Sequence, residues 1–202
     1  MARSSSKKGE ARARLLEAAD ELFYTEGIHT VGIDRIIEKA GVAKGSLYYI
    51  FGSKDELVKA YLENRHGNWT RRVEEHVERA TEPTDRMLAV FDALDELFVE
   101  PDYHGCAFQR AAAESEEGSV EQLGNEAFRT WLDDLFYGLA RDAGVADPKL
   151  VGRQLVLLYD GAVGSEPDHA SYAPGALAKS IAVTLLDSSP AWQTRTELAT
   201  AK

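Results

Sequence analysis

A group of basic and hydroxyl side chains lies between residues 30 and 54 of this 202-residue chain. Lysine ammonium groups pair with phosphate oxygens, and serine, threonine and tyrosine hydroxyls donate hydrogen bonds to phosphates or to the edges of bases. A glycine beside them lets the backbone approach a ligand closely. The residues with this chemistry are Thr30, Lys44, Gly45, Ser46, Tyr48, Tyr49 and Lys54. Their types predict contacts with a nucleic acid.

Two short helices are predicted to carry most of these residues. The apolar spacing over residues 33–40 predicts a helix that Thr30 can cap and Gly41 ends, and a second helix follows over residues 43–50. This is a helix-turn-helix pattern, in which apolar positions fix the pair at a steep angle and leave the second helix protruding. A protruding helix fits the major groove of DNA, which is wide enough to admit it. The bare pattern leaves a purely structural role open, because any two short helices around a glycine share it.

The charge of the chain is distributed unevenly. Over the whole chain, 23 lysines and arginines stand against 34 acidic residues, which gives a net charge of −11. Residues 1–65 hold 11 basic and 10 acidic side chains, whereas residues 66–202 hold 12 and 24. A uniformly acidic protein would repel a polyanion, but here the acidity belongs to the second part. The near-neutral first part remains compatible with binding DNA, and its basic, serine-rich start predicts a flexible arm over residues 1–9.

Other classes of protein find little support in the sequence. It has no apolar run of the roughly 18–20 residues that a membrane span needs, no secretory signal at its start, and one cysteine. We therefore expect a cytoplasmic protein that neither enters a membrane nor contains an internal disulfide. No nucleophile, phosphate-loop or metalloprotease motif occurs, so no catalytic residue, metal site or cofactor is predicted. Cys106 follows His104 closely, but a small buried side chain is the simpler interpretation, and a redox role stays open.

Helical periodicity continues to about residue 187, and no alternating run of strand length appears. The sequence therefore predicts an all-α fold of about nine helices. A long helix over residues 54–79 begins at the capping box Ser53-Lys-Asp-Glu56. Later helices are predicted over about 87–98 after Pro83, over 105–114, from Ser119 to Gly144, over 150–164 after Asp147-Pro148, and over about 177–185.

The run IDRIIEKAGVAKGSLYYIFGSKDELV, with the helix near residues 15–23 and the turn at Gly27, resembles the DNA-binding head of tetracycline-repressor (TetR) family transcriptional regulators. The resemblance covers about residues 10–60. It implies phosphate or base contacts from the seven residues named above. Two positions depart from the common pattern: Ala43 stands where serine or threonine often caps the second helix, and Ile50 where a histidine often follows the tyrosine pair. The DNA sequence that the chain reads therefore cannot be carried over from a relative.

The resemblance also implies a helical second part that binds a ligand and forms a dimer through the last two helices. The helix over residues 150–164 supports this, because it has more apolar surface than one face of a monomer can cover. The predicted interface residues are Leu150, Leu155, Leu158, Ala162, Leu177, Ile181 and Leu185. The predicted domains are an arm (1–9), the helix-turn-helix domain (10–56), a ligand-binding and dimerisation domain (57–187, connected by the helix over 54–79) and a tail (188–202).

Aromatic and apolar side chains on the central helices are candidates for lining a ligand cavity, although core packing is the commoner role of such residues. The candidates are Trp69, Phe91, Leu94, Phe98, Phe108, Gln109, Phe128, Trp131, Leu135 and Tyr159, with Arg110, Tyr137 and Asp160 as further polar groups. The acidic surroundings favour a mostly apolar ligand that is not strongly anionic.

The sequence thus predicts a homodimeric transcriptional regulator that binds an inverted-repeat operator in double-stranded DNA. It is most simply a repressor that a small, mostly apolar ligand releases. Two alternatives remain: a regulator or activator with the same head that needs no ligand or answers to a protein partner, and, with least support, an enzyme on a helical scaffold.

Overall fold

The computed structural model describes residues 2–113, 115–165 and 173–188, with side chains from Lys7 onward. Every regular element within these residues is an α-helix, and the helices number nine. They are α1 (Ala2–Glu26), α2 (Ile33–Ala40), α3 (Lys44–Phe51), α4 (Lys54–Arg79), α5 (Pro83–Phe98), α6 (Ala107–Ala113), α7 (Val120–Asp142), α8 (Pro148–Val163) and α9 (Pro174–Asp187). The all-α fold of about nine helices is confirmed for this part of the chain. The predicted tail after Ser188 lies outside the described residues.

Three helices begin at side-chain caps that the sequence predicts. In each, the cap oxygen accepts a hydrogen bond from the backbone N–H three residues later: Ser53 from Glu56 at 3.1 Å, Ser119 from Gln122 at 3.2 Å and Asp147 from Leu150 at 3.0 Å. Such a cap is typically worth about 1 kcal/mol of helix stability. The caps therefore fix where α4, α7 and α8 begin.

The start of the chain differs from the prediction of a flexible arm. α1 begins at Ala2, so residues 2–9 are helical. Alanine, arginine and lysine favour the helix, and no proline interrupts this stretch. Gly9 costs about 1 kcal/mol relative to alanine, which is too little to break a helix of 25 residues.

The helices form two compact units. Unit 1 contains residues 1–68 and 106–128, and unit 2 contains residues 69–105 and 129–202. In unit 1, α1 packs against α2 and α3, and α2 packs against α3. This grouping differs from the predicted boundary at residue 57, because α6 and the first turns of α7 belong to unit 1 although they follow later in the sequence.

Unit 2 holds α9 against α5 and α8. The Lys179 ammonium donates to both carboxylate oxygens of Asp92, at 2.6 and 2.7 Å. Asp95 Oδ1 accepts a hydrogen bond from the Ala176 N–H at 3.0 Å. The N-cap residue of α9, Ala173, has no capping side chain, so Asp95 of α5 supplies that bond instead.

We predict that Gly175→Ala lowers the free energy of unfolding by about 1–3 kcal/mol, the usual cost of overpacking a buried site. A Cβ at this position would lie 2.3 Å from Asp95 Oδ1 and 3.0 Å from the Phe91 carbonyl oxygen. Gly138→Ala is the matched control, because a Cβ there has no neighbour within 4 Å and alanine favours the helix. Urea unfolding at one protein concentration measures both. Equal stability of the two variants would contradict the prediction.

Candidate nucleic-acid interface

The turn between α2 and α3 has the geometry that the sequence predicts. Gly41 adopts a left-handed conformation, with φ at +61°, which a side chain would strain. Its N–H donates to the Glu38 carbonyl at 3.1 Å, and the Val42 N–H donates to the Ile37 carbonyl at 3.3 Å. These bonds end α2 and turn the chain at once into α3.

Hydrophobic burial holds the two short helices in place. Ile36, Ile37 and Ala40 of α2 are buried, and so is Leu47 of α3, with 0% of its surface exposed. Leu47 is the one buried residue of α3. Because a single residue of α3 is buried, Lys44, Gly45, Tyr48 and Tyr49 of this helix stay exposed to a partner.

The exposed part of α3 carries the residues that the sequence selects. Tyr49 is 75% exposed, Tyr48 is about half exposed, and Ser46 is partly exposed. Gly45 is exposed, and a Cβ built on it would meet no atom within 4 Å. Close approach of another molecule's backbone is therefore unobstructed at this point of the helix.

Lys44, the first residue of α3, forms an ion pair with Asp34 of α2. Its ammonium lies 2.7 Å from Asp34 Oδ1, and both side chains are well over half exposed. The hydrogen bond to Asp34 and the attraction of that carboxylate raise the pKa of Lys44. Lys44 therefore keeps its positive charge, while its solvated ion pair with Asp34 contributes little to stability.

Two basic residues of α1 lie over aromatic rings of α3. The Lys8 ammonium is 4.7 Å from the centre of the Tyr49 ring, and the Arg12 guanidinium is 5.4 Å from that of Phe51. Exposed contacts of this kind are worth about 0.5–1 kcal/mol. Neither pair was predicted from the sequence, although Lys8 and Arg12 lie four residues apart and therefore on one face of a helix.

Thr30 does not cap α2 as predicted. The N-cap position belongs to Gly32, and no side chain makes a capping bond there. Thr30 is exposed in the turn after α1, two residues too early to reach the first amides of α2. The predicted absence of a side-chain cap on α3 at Ala43 is confirmed.

The Lys54 side chain contacts unit 1, an orientation that differs from the phosphate contact predicted for it. Its ammonium donates to the Ile28 carbonyl at 2.6 Å and lies 5.8 Å from the centre of the Phe23 ring. Burial lowers the pKa of Lys54, while the carboxylates of Glu121 and Asp55 act in the opposite direction. The side chain therefore ties the start of α4 to the turn after α1.

The predicted ligand residues divide between the two units. Phe108, Gln109 and Phe128 belong to unit 1, and the rings of Phe108 and Phe128 stack at 4.2 Å. Phe108 also borders a cavity of about 280 Å³. The other residues that line it were not predicted as ligand contacts, among them Leu62, His66 and Leu123. The remaining candidates in unit 2 are Trp69, Phe91, Leu94, Phe98, Trp131, Leu135 and Tyr159.

In unit 2 several of these residues pack as core. Phe91 and Leu94 are fully buried, and the Trp69 and Tyr159 rings lie 6.3 Å apart. The Trp69 indole N–H is buried without a hydrogen-bond partner among the described residues. Phe98 packs edge-on against Tyr103 at 5.1 Å.

The predicted interface residues of α8 and α9 fall into two groups. Leu150, Leu177 and Ile181 are about half exposed, and Leu158 and Leu185 are partly exposed. Leu155 and Ala162 are buried within the chain itself, so their prediction as interface residues is wrong. Leu157, which the prediction omits, is 72% exposed on α8. Residues three or four positions apart lie on the same side of a helix. Because α8 is apolar on nearly every side, its sequence does not show which side is buried and which is exposed.

Comparison with known proteins identifies the class of protein that has this fold and this helix-turn-helix. The profile described as "Bacterial regulatory proteins, tetR family" matches residues 15–61. A TetR-family transcriptional regulator from Streptomyces coelicolor has a similar structure, with a TM-score of 0.79 and 32% identity over 87% of this chain and 96% of that one. The chain belongs to the TetR family of DNA-binding transcriptional regulators.

Two curated relatives show the range of regulation within that family. The transcriptional activator FasR of Mycolicibacterium smegmatis is 30% identical over 82% of this chain and 73% of its own. The transcriptional repressor KstR2 of Mycobacterium tuberculosis is 26% identical over 69% of this chain and 72% of its own. These relatives are transcriptional regulators and not enzymes.

The described residues offer neither a metal site nor a membrane-spanning helix. No group of three histidine, cysteine, aspartate or glutamate side chains there is arranged to hold a metal ion. No helix in the same part of the chain is long and apolar enough to cross a membrane.

We predict that Lys54→Met destabilises the fold by about 1 kcal/mol, because it removes a hydrogen bond and leaves the Ile28 carbonyl without its donor. Lys39→Met is the matched control, since Lys39 makes an exposed ion pair with Glu21 that is worth little. Thermal unfolding compares the variants. If both variants unfold at the same midpoint temperature, the hydrogen bond from Lys54 to the Ile28 carbonyl does not stabilise the fold.

Proposed function

We propose that the chain is a homodimeric repressor that binds an inverted-repeat operator through α3 and is released by a small, mostly apolar ligand. The observation that carries this proposal is the exposure of α3, which gives only Leu47 to the core. Basic, hydroxyl and aromatic groups occupy the rest of its surface, as a helix in the major groove requires.

The proposed DNA contacts come from α3 and its surroundings. Lys44 exchanges Asp34 for a phosphate oxygen, Gly45 lets the helix approach, and the remaining hydroxyl groups reach phosphates or base edges. Those hydroxyl residues are Thr30, Ser46, Tyr48 and Tyr49. Lys8 joins them, because it already lies over the Tyr49 ring. Lys54 is left out, because its ammonium is bound to Ile28.

The proposed dimer forms through the exposed apolar residues of α8 and α9. Leu150, Leu157, Leu177 and Ile181 supply large apolar side chains that a single chain leaves in water. A twofold axis through this face would present two α3 helices to the DNA, with half-sites about 34–36 Å apart. The operator is therefore expected to be an inverted repeat.

The proposed ligand shifts the dimer between a state that binds DNA and one that does not. Such a shift requires the ligand to bind the second state more tightly by a few kcal/mol. Repression is the simplest outcome when ligand binding weakens the complex with DNA. The relative FasR is an activator, so the direction of regulation needs its own test. If a reporter gene behind the operator loses expression when the chain is deleted, the chain is an activator and the proposed repression is wrong.

We predict that Tyr49→Ala weakens binding to the operator by about tenfold or more, since a base or phosphate contact typically contributes about 1–3 kcal/mol. Selection from a random duplex library supplies the operator, and fluorescence anisotropy measures the affinity. Tyr137→Ala is the control, a partly exposed tyrosine of α7 in unit 2. Equal affinities of the two variants would exclude Tyr49 from the interface, and selected sequences without inverted symmetry would contradict the dimeric proposal.

We predict that Leu157→Glu converts the dimer to a monomer at micromolar concentration, because each copy would bury an unpaired carboxylate in an apolar interface. The side chain is exposed in the single chain, so the fold tolerates the change. Val99→Glu, at an 81% exposed position outside α8 and α9, should leave the dimer intact. Sedimentation equilibrium distinguishes the two results, and a Leu157→Glu dimer would refute the proposed interface.

A further inference from the structure

We propose that Lys8 is a positioning residue for DNA recognition: from α1 it holds the ring of Tyr49 on α3 in the orientation in which that ring reads a base. This inference rests on the DNA-binding function proposed above. It gives Lys8 a role that acts through Tyr49, in addition to its own contact with DNA.

The helical start of α1 makes this role possible. α1 runs from Ala2 to Glu26, and it packs against α3. A lysine on a flexible arm would sample many positions, and bringing it to one place would cost backbone conformational entropy. Because Lys8 stands on a helix, its backbone is already in place, and the side chain alone has to be ordered.

Two contacts of the same kind join α1 to α3. The Lys8 ammonium lies 4.7 Å from the centre of the Tyr49 ring, and the Arg12 guanidinium lies 5.4 Å from that of Phe51. Both distances are within the roughly 6 Å over which a cation is attracted to the face of an aromatic ring. Tyr49 and Phe51 are two positions apart and therefore do not share a face of α3. The two cations thus reach α3 at two separate places.

Tyr49 depends on such a contact because the core gives its ring little support. The residue is 75% exposed, and Leu47 is the one buried residue of α3. An exposed side chain rotates between rotamers, and fixing it when a partner binds lowers the affinity. A ring that Lys8 already orders in the free protein loses less affinity in this way.

The other cations near α3 have different partners. The Lys44 ammonium is paired with Asp34 at 2.7 Å, and the Lys54 ammonium donates to the Ile28 carbonyl at 2.6 Å. Lys8 is therefore the cation that the structure places on the Tyr49 ring.

A positioning role and a simple phosphate contact have different effects on binding. Loss of a phosphate contact weakens binding to all DNA sequences alike, whereas loss of a base contact relaxes the preference at one position of the operator. Because Lys8 acts through the ring of Tyr49, its loss should reduce the affinity and also the base preference that depends on Tyr49.

Lys7→Met is the matched control for Lys8→Met in the full-length protein. Lys7 is exposed and carries the same charge, but as the neighbour of Lys8 it lies on another side of α1. With the operator selected as above, fluorescence anisotropy at one salt concentration should show about threefold or more weaker binding for Lys8→Met than for Lys7→Met. Equal affinities would mean that Lys8 contributes charge alone, and the positioning role would be wrong.

A double-mutant cycle connects this effect to Tyr49. In a chain that already carries Tyr49→Ala, Lys8→Met should cost no more affinity than Lys7→Met does, because no ring remains to be held. Lys8→Arg should restore most of the affinity, since a guanidinium is also attracted to the face of a ring. The proposal is refuted if Lys8→Met weakens binding by the same factor with and without the Tyr49 ring, or if Lys8→Arg binds as weakly as Lys8→Met.

Base preference provides a measurement that a purely structural role would not change. Selection from the random duplex library is repeated with Tyr49→Ala, Lys8→Met and Lys7→Met. Lys8→Met should relax the preference at the same operator position as Tyr49→Ala, while Lys7→Met should retain it. An unchanged preference in Lys8→Met, or in Tyr49→Ala, would overturn the proposal.

These outcomes separate the inference from the function on which it rests. A chain that selects no DNA sequence loses the DNA-binding function itself. A chain that selects an operator, but in which Lys7→Met and Lys8→Met weaken binding equally, keeps that function and loses the positioning role of Lys8.

Discussion

The burial of Leu47 is the contact on which the presentation of α3 depends. This side chain is the part of α3 that enters the core. Ile36 of α2 is fully buried as well, and Gly41 sets the turn between the two helices. With one buried residue, this helix keeps Lys44, Gly45, Tyr48 and Tyr49 exposed for a partner. The direction of α3 is then fixed by its contacts with α1 and α2 and by the turn at Gly41.

The charged side chains of the helix-turn-helix region form exposed ion pairs that can be broken at little cost in free energy when DNA binds. On α2, Arg35 pairs with Glu26, Lys39 with Glu21, and Asp34 with Lys44 of α3, all at exposed positions. Exposed pairs contribute about 0–1 kcal/mol, so a phosphate can replace a carboxylate partner at small cost. The near-neutral balance of residues 1–65 therefore reflects paired charges that can change partners, while the acidic remainder of the chain disfavours unspecific attraction to DNA.

Local signals in the sequence were sufficient for most of the fold. Glycines and cap residues act on the backbone within a few residues, so the ends of α1 and α2 and the starts of α4, α7 and α8 could be predicted. The direction of a side chain depends on packing between distant segments, so the inward contact of Lys54 and the burial of Leu155 and Ala162 could not be predicted. The cavity bordered by Leu62 and Phe108 could not be predicted either, because it joins residues 46 positions apart.

Unit 1 is assembled from two separate stretches of the chain, residues 1–68 and 106–128. During synthesis, therefore, the helix-turn-helix emerges well before the segment that completes its unit. At roughly 5–20 residues per second, residue 128 follows residue 68 by about 3–12 s. Until then the chain lacks the segment that packs against Leu62 and the end of α1, so residues 1–68 alone are an incomplete folding unit.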